Sequence, residues 1–203
     1  TAGQYGFYMC VDAPLGKFVS SSGSRYATDA STGYYVSSTG QTSQTACSVG
    51  TYQATTGQSS CDQADAGHYV DSSLGTGQTT QTACLAGTYN PNTGSTSSSA
   101  CVDANAGYYV SSNGQSSQIA CSAGTYNPNT GSTSISACLV ASAGHYVATT
   151  AQTSQTACLA GTYNPSTGST SSSACGNADA GYYVDQTGQS SQTACSTGTY
   201  QAN

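Results

Sequence analysis

The chain has no Trp and no Glu, and only one Met, two Phe and two basic residues among its 203. So few bulky apolar side chains exclude an ordinary globular core. With Lys17 and Arg25 as the only cations and a formal net charge of −6, there is no basic patch for nucleic acid. No apolar run is long enough to span a membrane. No stretch reads as a secretory leader, so a mature chain or a segment of a longer one is expected. Low hydrophobicity usually signals disorder when it comes with high charge density, but only 5 % of these residues are charged. Some other agent must supply order.

Ten Cys supply it. A small apolar-poor scaffold dense in Cys reads as disulfide-stapled, and hence as extracellular or cell-surface. Each bridge that closes a loop of about 15 residues is worth roughly 3 kcal/mol in the chain-entropy account. Zinc is disfavoured because there is no CxxC pair and the two His lie far from any shared motif. No metal site and no cofactor are expected.

Cys10, Cys47, Cys84, Cys121, Cys158 and Cys195 follow one another at 37 residues, with Cys61, Cys101, Cys138 and Cys175 between them. A fixed period of this size marks a repeat array, in which each unit meets only its neighbours. The expected domains are a divergent N-terminal repeat or joint at 1–46 and repeats at 47–83, 84–120, 121–157 and 158–194. A partial repeat at 195–203 is completed by the N-terminus of the next subunit. Each period has two halves. The first opens as CSVGTY, CLAGTY, CSAGTY or CSTGTY, and the second as CDQADAGHYV, CVDANAGYYV, CLVASAGHYV or CGNADAGYYV. Both follow one plan, so the period reads as a duplicated smaller unit. Segments such as GYYVSS and GTYN are short, rich in Tyr, Val and Thr, and bounded by turn signals such as NPNTG and SNGQ. No segment has the 3.6-residue apolar period of a helix. The expected fold is small, disulfide-rich and β: an elongated tandem array of short hairpin modules with almost no helix.

Tyr52, Tyr89, Tyr126, Tyr163 and Tyr200 keep the same period. They are expected to pack over a disulfide or a neighbouring turn, with an exposed aromatic ladder as the sharper alternative. His68 and His145 stand where other copies have Tyr, so they read as Tyr substitutes. Asp62, Asp65 and Asp71 could together hold Ca²⁺, but their pattern does not recur, and turn or capping roles fit better. No Ser pairs with a His and an acid at a recognisable spacing. No enzyme is expected.

The C-x-x-G-x-Y…C pattern, seen best in CSVGTYQATTGQSSC at 47–61, resembles the cysteine-rich repeats of tumour necrosis factor receptor ectodomains. It is closer still to the GCC2/GCC3, or ephrin-receptor-like, repeats of large surface proteins. Those families carry a C-x-x-C between loops where this chain has one Cys. The resemblance implies the pairs Cys47–Cys61, Cys84–Cys101, Cys121–Cys138 and Cys158–Cys175, with Cys10 and Cys195 left over. A second register stays open: Cys61–Cys84, Cys101–Cys121, Cys138–Cys158 and Cys175–Cys195, with Cys10 and Cys47 remaining to pair.

Placed end to end, the termini read CSTGTYQAN/TAGQYGFYMC, nearly a complete first half. Cys195 then opens a half and Cys10 closes one, which makes them candidates for an intersubunit disulfide. Subunits would meet head to tail, and a heterologous contact that does not close generates a filament. A segment of a longer repeat protein or a monomeric rod would also account for the pattern. Residues 11–36 hold both basic residues and Phe18, and Ala27 stands where the period would place a Cys. This is a specialised joint or a degenerate terminal repeat.

The clusters TGSTSSSA, TGSTSISA and TGSTSSSA place Thr93, Ser95, Thr96, Thr130, Ser132, Thr133, Thr167, Ser169 and Thr170 at equivalent points. These are O-glycosylation candidates by likeness to Ser/Thr-rich stalks with Pro. The expected function is therefore structural: a subunit of an extracellular filament or surface appendage, bound to copies of itself and carrying glycans. The alternative is a receptor-like or adhesin stalk that binds a protein or carbohydrate.

Overall fold

The computed structural model describes residues 9–201. Over this span the chain forms ten antiparallel two-stranded hairpins and four short 3-10 turns, with no α-helix. This is the small disulfide-rich β array expected from the sequence. The chain divides into two compact units. One takes the residues up to Ala83 together with Asn92–Ala100; the other takes Cys84–Pro91 and the residues from Cys101 onward.

In the first unit, β1 (Lys17–Phe18) pairs with β2 (Thr28–Asp29) and β3 (Tyr34–Tyr35) with β4 (Thr45–Ala46). β5 (Thr51–Tyr52) pairs with β6 (Asp62–Gln63) and β7 (His68–Tyr69) with β8 (Thr82–Ala83). In the second unit, β9 (Thr88–Tyr89) pairs with β10 (Val102–Asp103), and β11 (Tyr108–Tyr109) with β12 (Ile119–Ala120). β13 (Thr125–Tyr126) pairs with β14 (Leu139–Val140), and β15 (His145–Tyr146) with β16 (Thr156–Ala157). The last two pairs are β17 (Thr162–Tyr163) with β18 (Gly176–Asn177), and β19 (Tyr182–Tyr183) with β20 (Thr193–Ala194).

One local recipe builds every hairpin. A small residue opens it, and most of these are buried: Ala13, Ala30, Cys47 and Ala64 in one unit, Cys84, Ala104, Cys121, Ala141 and Cys158 in the other. The next four residues form a turn, as where the Thr88 N–H donates to the Leu85 carbonyl at 3.0 Å. Its third residue is a Gly with positive φ, as a type II turn demands. The turn's fourth residue and the next form the strand, and the residue six positions after the opener is buried in every hairpin but the first, where Val19 is half-buried. Openers lie 17 or 20 residues apart, as in Cys47 to Ala64 and Ala64 to Cys84, so one 37-residue period is two hairpins.

The opener series also places Cys10. It stands three residues before opener Ala13, as Cys61 stands before Ala64, so the 37 residues from Cys10 to Cys47 are not a structural repeat.

Consecutive hairpins are joined by backbone hydrogen bonds in a fixed register. In the second unit the Gly144 N–H donates to the Asn164 carbonyl at 2.7 Å and the Val147 N–H to the Ser169 carbonyl at 2.9 Å. The Gly168 N–H returns to the opener carbonyl of Ala141 at 2.8 Å. In the first unit the same three bonds run from Gly16 to Val36, from Val19 to Gln41 and from Gly40 to Ala13. The early Gly of a hairpin also lies against the tip of the hairpin two further on. A Cβ on Gly87 would stand 2.6 Å from the Gly131 carbonyl oxygen, so Gly is required there by space as well as by φ.

Candidate functional site

Four disulfides close alternate hairpins: Cys47–Cys61, Cys84–Cys101, Cys121–Cys138 and Cys158–Cys175, with Cα–Cα distances of 5.5 to 5.7 Å. In each, the first Cys is the opener and the second stands three residues before the next opener. In five of the six remaining hairpins a Gln occupies that second position. The side-chain oxygens of Gln44, Gln81, Gln118, Gln155 and Gln192 accept the backbone N–H of Ser31, Asp65, Asn105, Ser142 and Asp179, each at 2.7 Å. A polar clamp thus replaces the bridge. Sequence reasoning passed over this Gln, although its invariant place three residues before each opening Cys was a visible signal. Hairpin 1 has neither device, since Ala27 stands at the closing position.

The buried centre alternates too. Val36 and Val70 in the first unit and Val110, Val147 and Val184 in the second occupy the sixth position of the Gln-clamped hairpins. Gln53, Asn90, Asn127 and Asn164 occupy it in the bridged ones. A buried amide must be fully bonded to be tolerated. The Asn127 Nδ2 donates to the Tyr108 carbonyl at 2.8 Å and to the Ser132 Oγ at 2.9 Å, while its Oδ1 accepts the Asn129 N–H at 3.1 Å. Asn164 repeats this with His145, Ser169 and Ser166. Tyr52, Tyr89, Tyr126 and Tyr163 immediately precede these residues and are half-buried, because successive strand side chains point to opposite faces. Tyr200 is 85 % exposed. Burial, and then the charges of Asp65 and Asp62, hold the Tyr52 hydroxyl above its ordinary pKa.

The nine hydroxyl candidates fall into two sets. Ser132 and Ser169 accept hydrogen bonds from the buried Asn side chains and, like Ser95, are half-buried. Thr93, Thr96, Thr130, Thr133, Thr167 and Thr170 are exposed. Ser134 and Ser171 are also occupied, since each caps the 3-10 turn that follows it.

Asp65, Asp71 and Asp179 are engaged in turns and closures. Asp65 accepts from the Gln81 side chain at 2.6 Å, and Asp71 caps the turn Ser72–Leu74 through the Ser73 N–H at 2.9 Å. That hydrogen bond holds the Asp71 carboxyl below its ordinary pKa. Among the described residues no three His, Cys, Asp or Glu side chains are grouped so as to hold a metal ion. Nor is any helix among them long and apolar enough to cross a membrane. Four disulfides fit an oxidising, extracytoplasmic setting.

The two ends of the described chain present unpaired groups. At the C-terminal end, the N–H groups of Gly181, Val184, Gly198 and Gln201 have no acceptor among the described residues. A Cβ on Gly161, Gly181 or Gly198 would meet nothing within 4 Å. Tyr182 and Tyr183 are 39 % and 43 % exposed, whereas the equivalent Tyr108 and Tyr109 are half-buried. At the N-terminal end the tip Gly23 is also open. Beside it, Met9, Cys10, Val11, Arg25 and Tyr26 line a groove of about 980 Å³. The Arg25 guanidinium lies 5.6 Å from the centre of the Tyr26 ring, and Lys17 pairs with Asp29 at 2.6 Å. Cys10 and Cys195 are free thiols. Neither a family model nor a curated protein sequence matches the chain.

Proposed function

We propose that this chain is a structural subunit of an extracellular filament or surface appendage, whose copies join head to tail and whose Thr-bearing loops carry O-linked sugars. One observation supports this reading above the others. The face shown by the last hairpin, with Gly181, Tyr182, Tyr183 and Val184, is the one that internal hairpins cover with a neighbour. The first hairpin offers groups that match the unpaired Gly198 and Gln201 N–H groups: the Val19 and Ser24 carbonyls, with the Gly23 N–H beside them, which correspond to Val36, Gln41 and Gly40 of hairpin 2 in its bonds to hairpin 1. A heterologous contact between such ends propagates without closing. Exposed hydroxyls carrying sugar would keep a surface with so little charge soluble.

Light scattering of the purified chain tests the docking. Wild type is expected to associate in a concentration-dependent way, and Gly181→Ala to remain monomeric, because a Cβ there meets the incoming tip. Gly75→Ala is the control, since Gly75 is equally open and has φ +81 but lies off this face. Equal association of the two variants would refute head-to-tail docking. Mass mapping of native material tests the sugars, with Thr93, Thr130 and Thr167 expected to carry them.

A further inference from the structure

We infer that the second unit carries a lateral contact surface for another copy of this chain, which lies against it antiparallel along an apolar stripe almost free of charge. The inference is independent of the head-to-tail reading, since every residue it uses lies inside the array.

At the centre of the stripe, Tyr109, Ile119, Ser122, Thr125, Ile135 and the Cys121–Cys138 bridge line a groove of about 210 Å³. The two Ile stand where other hairpins have hydroxyls. Ile119 holds the position of Thr45, Thr82, Thr156 and Thr193, and Ile135 that of Ser98 and Ser172. Leu85 and Leu159 hold the Ser122 position 37 residues before and after, each directly following an opener. These four aliphatic side chains are between 48 % and 73 % exposed. The second unit repeats its packing at this interval. A Cβ on Gly87 would stand 2.6 Å from the Gly131 carbonyl oxygen, and one on Gly124 would stand 2.5 Å from that of Gly168. The stripe therefore follows the stack, with one Leu, two Ile and one Leu in turn.

Charge points to the occupant. Between Asp71 and Asp179 the only charged side chain is Asp103. Another copy has the same net charge of −6, and this is the stretch over which two copies bring the fewest Asp together. Burying the stripe desolvates no charge but that one. Asp103 also sets the direction. Val140 pairs with Thr125, so it shares the face that bears the groove. Asp103 and Asn177 hold the Val140 position one period before and after. In a parallel pair, the Asp103 side chains of the two copies would face each other. In an antiparallel pair, with the two-fold axis at the Ile cluster, Asp103 faces Asn177, Leu85 faces Leu159 and the Ile cluster meets itself. Such a contact is isologous and self-complementary. Four aliphatic side chains fall well short of a standard interface of roughly 1,600 Å². Single chains therefore pair with a dissociation constant on the order of 0.1 to 1 mM, above the range of dilute light scattering.

Sedimentation equilibrium of the full chain up to about 1 mM tests the pairing. The Gly181→Ala background keeps end-to-end docking out of the measurement, and alkylation of Cys10 and Cys195 keeps any thiol from joining copies. A dimer is expected. Ile119→Thr with Ile135→Ser installs the residues of the equivalent hairpins, which keeps the fold, and should weaken the dimer by about 100-fold or more. Asn177→Lys should tighten it about fivefold at low salt, because each Asp103 then faces a cation, and high salt should erase the gain. Asp103→Asn added to Asn177→Lys should remove that gain, whereas a mere drop in net charge would add to it. An unchanged dimer in the Ile variant, or no tightening with Asn177→Lys, would overturn the antiparallel pairing. Absence of any dimer at the highest concentration would overturn it too and leave the stripe to an apolar partner of another kind. With end-to-end docking blocked throughout, none of these results decides the head-to-tail reading.

Discussion

Removing the buried amide of Asn127 tests whether these modules are held together by polar rather than apolar centres. Asn127→Ala deletes three hydrogen bonds at 2.8, 2.9 and 3.1 Å from a residue with no solvent exposure. A typical bond contributes about 1 kcal/mol net, which sets about 3 kcal/mol as the upper figure. Two of the stranded partners can turn to water, since Asn129 is exposed and Ser132 is half-buried. The Tyr108 carbonyl lies in the hairpin before and is the one left unsatisfied. The expected cost is about 2 kcal/mol, which corresponds to roughly 30-fold faster exchange from local opening. Native-state amide exchange is the suitable assay, because an array of neighbour-coupled modules need not unfold in one step. The amides of Gly107, Val110 and Gly131 should speed up together, since each bonds across the two hairpins that the Asn127 side chain joins. The Asn164 amide, which bonds Gln189, should stay within about threefold of wild type. A change below threefold at the first three amides, or an equal change at Asn164, would refute the polar-centre argument.

Two further outcomes follow from the closures and caps. Ala141→Cys combined with Gln155→Cys should form a fifth internal bridge, because these positions match Cys47 and Cys61 in role and in their separation of 14 residues. A loop of this size is worth roughly 3 kcal/mol. Thiol titration reads the result, and two extra free thiols after oxidative folding would contradict the equivalence of clamp and bridge. Acidification should loosen the turn Ser72–Leu74. The Asp71 carboxyl is held low by the Ser73 N–H, so its contribution is complete above the ordinary carboxylate range and is lost as pH falls through its lowered value. The Ser73 amide shift should titrate with that lowered value, and a flat shift across the acid range would count against the cap.

The local features were open to direct reading. Turn chemistry is short-range, so GTYN and GYYV segments bounded by Gly and NPNTG announce hairpins without any tertiary knowledge. The pairing of the Cys was not settled by residue spacing. Both registers close loops of plausible length, and the resemblance to receptor-type repeats alone favoured one. Folding decides it because Cys121 and Cys138 flank the two strands of a single hairpin, β13 and β14, whereas Cys101 closes the β9–β10 hairpin and Cys121 opens the β13–β14 one, with the β11–β12 hairpin between them. Asn127 sits in a Tyr-Asn-Pro sequence that reads as a turn, so its burial was not visible. Its bond to Tyr108 spans 19 residues and depends on how one hairpin seats on the next.

The amino-acid sequence by itself determined the period, the disulfide chemistry, the near absence of helix and the positions of the turns. These depend on composition and on residues a few positions apart. Tertiary structure alone decided which side of each two-residue strand faces inward, that Gln replaces a bridge in alternate hairpins, and that Gly87 must leave room for a carbonyl 44 residues away at Gly131. Each of those is a relation between backbones that meet only after neighbouring hairpins have formed. Burial and hydrogen-bond satisfaction are therefore properties of the stack, not of the segment.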